Sequence, residues 1–245
     1  MTNRRLAVAG VVFALLVPVA ARQVVTSADH TKPKEIPFDD ARLKIEYNAT
    51  DGDAGLQFFI DAEAWRHVTV TNPEGRKVLD VDAAKVIRNY GLSELFSESS
   101  EPPFTEFPFD EFKKLFPEGP YTFTGRDIDG RRLRSTFTLA HNVPDGPTIT
   151  SPADGATLAA TGVTVEWQPV TTPAGIDIVA YEVLVVADES GLGTAERTVD
   201  VTLPATATHL GVPPEFLTPG GYKTEVIAIE RGGNQTLAEV AFTVT

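Results

Sequence analysis

From residue 43 onward, apolar and polar positions alternate in short runs. Leu43, Ile45 and Tyr47 form the first, then Leu56, Phe58 and Ile60, then Val68 and Val70, then Val78 and Val81. A period of two sends successive side chains to opposite faces of a strand, so each run predicts a strand with one face in a core and one in water. The segment "GPYTFTGRDIDGRRLRSTFTLAH" (119–141) adds Tyr121/Phe123 and Leu133/Phe137/Leu139 on either side of Asp129-Gly130, a hairpin turn signal. The second half repeats the pattern with Val163, Val165 and Trp167, then Tyr181, Val183 and Val185. Tyr222, Thr224, Val226 and Ala228 follow, and Ala238, Val240, Phe242 and Val244 make the last run. Proline- and glycine-rich separators recur at steps of about 8–12 residues, which predicts an all-β architecture of sandwich type.

Helical spacing is confined to 82–116. Asp82 to Asn89 predicts a helical turn stopped by Gly91. In "FDEFKKLF" (109–116), Phe109, Phe112, Leu115 and Phe116 fall on one face, and Phe96, Phe104 and Phe107 add to the cluster. This cluster has two readings, an exposed binding lip or a plug over one open end of a sandwich. Large exposed apolar patches are uncommon on monomers, which favours the plug. In "HNVPDGP" (141–147), Pro144 and Pro147 favour extended backbone, so a short, stiff connection is expected between two units. The expected organisation is a leader at 1–21, a flexible lead-in at 22–41, one β-sandwich at 42–143 and a second at 146–245.

The leader reading rests on Arg4 and Arg5, an apolar run from Leu6 to Val19, and small residues at Ala20 and Ala21. That is the layout of a secretory signal peptide. Cleavage is expected after Ala21; a second option follows Ala28. An uncleaved anchor is the alternative, but the run is shorter than the roughly 20 residues a spanning helix needs. The mature chain is therefore expected to be secreted or periplasmic, with no membrane span.

The segment 147–245 resembles a fibronectin type III domain. The resemblance rests on "VTVEWQPV" (163–170) with Trp167, "VAYEVLV" (179–185) with Tyr181, and "LTPGGYKTEVIAIERGGNQT" (217–236) with Tyr222. It implies a sandwich with Trp167 and Tyr181 in its core, and a corner at Tyr222 whose hydroxyl bonds back to the preceding turn. Pro213-Pro214-Glu215-Phe216 departs from the pattern and suggests a short helical turn. The segment "FPEGPYTFTGRDIDG" (116–130) is similar to the penultimate strand and turn of immunoglobulin-like modules in exported bacterial proteins. The fold expectation is thus two tandem β-sandwiches, immunoglobulin-like then fibronectin type III-like, with short helical insertions in the first.

The 245 residues include 34 Asp and Glu against 21 Lys and Arg, a net charge of −13, and no cysteine. Acidity of this size repels phosphate backbones, so no nucleic acid partner is expected. Lack of cysteine excludes disulfides, thiolate catalysis and Cys-ligated metal centres. His30, His67, His141 and His209 make no close ligand pair, and neither a nucleophile elbow nor a phosphate loop is present. No catalytic residue and no cofactor are therefore expected.

One loop carries candidate chemistry. "NATDGDAG" (48–55) brings Asn48, Asp51 and Asp53 together around a glycine, and alternating Asp/Asn oxygens suit calcium. The run lacks the bidentate Glu of a calcium hand, and an ordinary turn reads equally from Asp and Gly. Asn48-Ala49-Thr50 and Asn234-Gln235-Thr236 are glycosylation sequons in form. The expected function is an exported, non-enzymatic binding or spacer protein that engages an extracytoplasmic protein or glycan. The rivals are a carbohydrate-binding accessory protein, stacking sugars on Trp65 or exposed Phe, and a small hydrolase. Exposure of Trp65 discriminates between the first two.

Overall fold

The computed structural model describes residues 35–188 and 197–245. The leader and both cleavage options lie outside the described residues. Those described belong to one compact unit, Pro33–Thr245, containing two separate apolar cores. Among the described residues, no helix is long and apolar enough to cross a membrane.

The first core is enclosed by β1 (Asp40–Asn48), β2 (Asp53–Thr71), β3 (Lys77–Asp82), β4 (Leu92–Glu98), β5 (Gly119–Asp127) and β6 (Arg132–Leu139). The sequence reading has two strands where β2 runs unbroken for 19 residues. Its first half lies between β1 and β4, and its second half between β3 and β5. The switch falls at a bulge around Ala64, whose φ is 28°, and bulges bend a strand and sharpen its twist. One strand thereby serves both layers. Gly91 packs against this bend so closely that a Cβ there would sit 2.7 Å from the Ala64 Cα, and its φ of 90° favours glycine independently. It also ends α1 (Lys85–Tyr90), as the sequence predicts.

Leu43, Ile45, Leu56, Ile60, Trp65, Val68, Val70, Tyr121 and Phe123 fill this core. Over one side lies α2 (Phe109–Leu115), with Phe112 buried and Phe104, Phe107, Phe109 and Phe116 packed around it. Ring contacts run from Tyr47 to Phe104 and Phe109, and on through Phe112 to Phe116. These phenylalanines plug the sandwich. Phe96 does not join them: it sits on the outer face of β4 opposite Phe59 and is 57% exposed. The lead-in also ends earlier than the sequence suggests. Ile36 bridges to Leu133 and Phe38 is buried, so the chain enters the sandwich before β1 begins.

The second core lies between two layers. One holds β7 (Thr148–Ser151), β9 (Thr164–Gln168) and β12 (His209–Gly211), in the order β12-β9-β7. The other holds β10 (Ile178–Asp188), β11 (Thr198–Pro204), β13 (Gly220–Glu230) and β14 (Gln235–Val244), in the order β11-β10-β13-β14, with β8 (Ala156–Leu158) parallel to the end of β14. A 3₁₀ turn at Pro214–Phe216 occupies the place of the expected helical departure. The Tyr222 hydroxyl donates to the Thr218 carbonyl at 2.9 Å and accepts from the Thr218 N–H at 2.7 Å, so the corner is formed. The first sandwich has a counterpart: the Tyr121 hydroxyl donates to the Pro117 carbonyl, also four residues back, at 3.1 Å. The related strings "EGPY" and "PGGY" carry both.

Candidate functional site

Two features meet where the cores adjoin. The first is backbone. β1 runs parallel to β14, pairing Glu46 with Gln235, Tyr47 with Thr236 and Asn48 with Leu237, so one sheet continues from β11 through β14 and β1 into β2. Asn234 extends this pairing with its side chain. Its Oδ1 accepts from the Ile45 N–H at 2.9 Å, and its Nδ2 donates to the carbonyls of Ala140 at 2.8 Å and Asn142 at 3.1 Å. Thr236 donates its hydroxyl to the Pro144 carbonyl, and the Asp145 N–H reaches the Thr172 carbonyl. The Glu230 carboxylate accepts from the backbone of Gly232 and Asn234 and so fixes the turn that presents Asn234. The connecting segment 141–147 is therefore strapped along the start of β14. Asn234, Gln235 and Thr236 are all buried, so the sequon at Asn234 is closed to any modifying enzyme in the folded state.

The second feature is a layer of carboxylates on the outer face of the same sheet. β1 contributes Lys44 and Glu46; in register across β2 are Gln57 and Gly55, and β4 places Glu98 beyond Gln57. Glu101 follows, its carboxylate lying over Gly55 where any Cβ would approach Glu101 Oε1 to 2.6 Å. Glycine leaves that space without displacing the Glu101 side chain. Carboxylate oxygens of Glu46, Glu98 and Glu101 all lie within 4.8 Å of one another. Gln57 Nε2 donates to Glu98 at 2.6 Å, Gln235 donates to Glu46, and Lys44 donates to Gln235 at 2.8 Å. Two buried oxygens here have no hydrogen-bond partner, Gln57 Oε1 and Asp53 Oδ1.

Crowding of like charges out of water shifts these groups. Burial, followed by the charges of Glu98, Asp53 and Glu46, pushes Glu101 up to about 7. Burial raises Glu46 against the opposing hydrogen bond from Gln235, and burial lowers Lys44. Nearby on β10, burial and then Asp200 push Glu182 up to about 7, opposed by Lys44. An acid whose folded pKa lies above its unfolded value holds more protons when folded, so stability falls as pH rises from about 4.5 to about 7. Asp80, held near 2 by Lys77, His67 and Thr69, acts with the opposite sign but only below that window. In a chelating buffer the melting temperature is therefore expected to be higher at pH 5.5 than at pH 7.5, and Glu101→Gln should flatten the difference. A pH-independent melting temperature across that range would show these carboxylates to be as well hydrated as free ones.

The sequence-derived candidates divide. Asn48 Oδ1 accepts from the backbone of Thr50 and Asp51, both at 2.9 Å, and its Nδ2 donates to Asp51, so Asn48 and Asp51 close a turn on themselves. Asp53 instead adds its charge to the Glu101 environment. Trp167, Tyr181 and Tyr222 are buried in the second core, where Tyr181 Oη accepts from the Val170 N–H. Trp65 is fully buried and its Nε1 donates to the Ser93 carbonyl, so it offers no face to a sugar. His67 is paired with Asp80, and His141 with the Phe116 carbonyl. Sequence reading missed the carboxylate layer because its members come from three distant segments. Its trace in the chain is Gly55 and Gln57, which alternate with the core residues Leu56 and Phe58 on β2.

No protein-family model and no curated protein sequence matches the chain. Among solved structures it is similar to the FN1–FN3 domains of chicken CNTN1, at 10% identity and a TM-score of 0.31, covering 86% of this chain and 65% of that one. It is also similar to a tetra-tandem repeat in the extending region of a large adhesion protein, at 15% identity and a TM-score of 0.30, covering 84% of this chain and 50% of that one. The chain spans less than two thirds of the length of either.

Proposed function

We propose that the protein is an exported, non-enzymatic spacer or binding protein of the fibronectin type III-containing kind. In this reading its immunoglobulin-like and fibronectin type III-like sandwiches act as one stiff body that engages a protein or glycan outside the cytoplasm. The observation that carries the reading is the sheet continuing from β14 into β1. Two sandwiches joined only by a linker rotate about it, whereas main-chain pairing reinforced by buried side-chain bonds resists both bending and twist. A stiff spacer holds its binding loops at a fixed distance and orientation, which lowers the entropy lost on engaging a partner. The basic and apolar start of the chain supports export.

Lack of cysteine makes a clean test available. Spin labels placed through Glu63→Cys and Glu215→Cys, both exposed and on different sandwiches, should give one narrow interspin distance distribution in frozen solution. A broad or multimodal distribution would show independent modules and remove the stiff-spacer reading.

A further inference from the structure

We propose that the Lys44 amine and the Gln235 side-chain amide join in a covalent bond between the two sandwiches, with Glu46 moving the protons and ammonia leaving. The three side chains meet because β1 runs parallel to β14. Glu46 stands opposite Gln235 in register, and Lys44 lies two residues earlier on the same strand face. Lys44 Nζ is 2.8 Å from Gln235 Oε1, so the carbonyl carbon is one bond beyond the atom the amine already touches. The amide nitrogen, which is the leaving group, donates to Glu46 Oε2. Nucleophile, electrophile and proton carrier are thus in contact in the order the reaction needs. Gln235 is only 2% exposed, which keeps water from competing for its carbonyl.

The partner of Lys44 is the independent pointer. Among the described residues, Lys77, Lys113, Lys114 and Lys223 all meet carboxylates, as ordinary ion pairs do. Lys44 has Glu46 beside it on the same face, yet its amine is directed to a neutral, buried amide. Burial lowers Lys44 against the charges of Glu46, Glu182 and Glu98, and burial raises Glu46 against its hydrogen bond from Gln235. Both shifts favour a neutral amine beside a neutral acid, the forms the reaction uses. The Lys44 lone pair attacks Gln235 Cδ. Glu46 takes the proton that the amine sheds and gives its own to the departing nitrogen, the Cδ–Nε2 bond breaks, and ammonia leaves. An amine and a primary amide become one substituted amide and ammonia, Glu46 ends as it began, and no oxidant or cofactor enters. General acid–base help is worth about a hundred- to ten-thousandfold, and fixed contact adds to it. A bond made once per molecule needs no faster rate. It ties together residues 191 apart, across the junction of a chain that has no cysteine for the purpose.

Intact-mass spectrometry of the purified full-length protein is the test, before and after prolonged incubation in the folded state. The expected result is the loss of one ammonia, about 17 Da, from the mass of the sequence counted from its observed first residue. Trypsin should then fail to cut after Lys44 and should release residues 43–66 joined to residues 232–245. Lys44→Arg should keep its full mass. Glu46→Gln, shown to fold by circular dichroism, should form the bond at least about a hundredfold more slowly. A full mass that persists through incubation of the unsubstituted protein would overturn the proposal. So would the same loss with the cut after Lys44 kept, since that places the lost ammonia elsewhere. A Glu46→Gln variant that folds and cross-links at the unsubstituted rate would overturn the role given to Glu46. Two sandwiches can be stiff without this bond, and the mass does not depend on their spacing, so the proposal and the stiff-spacer reading fail separately.

Discussion

Trp65→Ala is expected to destabilise the protein by about 3–5 kcal/mol, the range for emptying a large aromatic from a well-packed core. The indole is fully buried, and it stands one residue beyond Ala64, where β2 changes layers. Its Nε1 bond to the Ser93 carbonyl ties the bend to the start of β4. Removing it leaves a cavity at the point where both layers depend on one strand, beside the positive-φ backbone of Ala64. Trp65→Phe keeps most of the volume and loses the hydrogen bond, so it should cost less than half as much. Urea unfolding of the full chain reads both. A cost below about 1 kcal/mol for the alanine variant would place the indole at the surface and reopen sugar stacking as its role.

The same residue shows where legibility in the sequence stops. Alternation at Val68 and Val70 and at Leu56, Phe58 and Ile60 marks two strands correctly by face. The two runs keep one phase, but the buried Trp65 between them falls out of it, and the bulges on either side of Trp65 are what allow one strand to accommodate it. Nothing in a period-two pattern separates a bulge from a loop. Residues 36–38 look like lead-in because they follow a mostly polar stretch and Pro33 and Pro37 interrupt any alternation, yet Phe38 carries enough apolar area to be drawn into the core. The second sandwich was more legible since each of its main strands keeps one core face; Tyr181, Val183 and Val185 all point inward as their spacing says. Its exceptions are the middle of β13, where Val226, Ile227 and Ala228 are buried in succession, and the start of β14, where Gln235, Thr236 and Leu237 are. Polar residues buried on both faces signal a neighbour on each side. Here that neighbour is β1, almost 190 residues earlier in the chain, and no local pattern reaches so far. The carboxylate layer escaped for the same reason, being assembled by strand register rather than by spacing.

Asn234→Ala should have the second large effect, about 3 kcal/mol, and the effect should be felt at the junction rather than within either core. The Ile45 N–H it leaves behind is buried between the two sandwiches, and an orphaned buried donor costs about 1–3 kcal/mol. The carbonyls of Ala140 and Asn142 lose their donors as well, though both residues lie nearer to solvent and water can replace part of what is lost. Asn234→Asp separates the two contributions. It keeps an acceptor for Ile45 but sets a carboxylate against two carbonyl oxygens and beside Glu230, so it should destabilise more at neutral than at acid pH. Both variants should broaden the distance distribution between labels at positions 63 and 215, while Trp65→Phe should leave it narrow. If Asn234→Ala lowered stability and the distribution stayed narrow, parallel pairing of β1 with β14 would suffice for stiffness. If stability were unchanged, the side chain would not be bridging the sandwiches, and the strapped connection described for 141–147 would have to be abandoned.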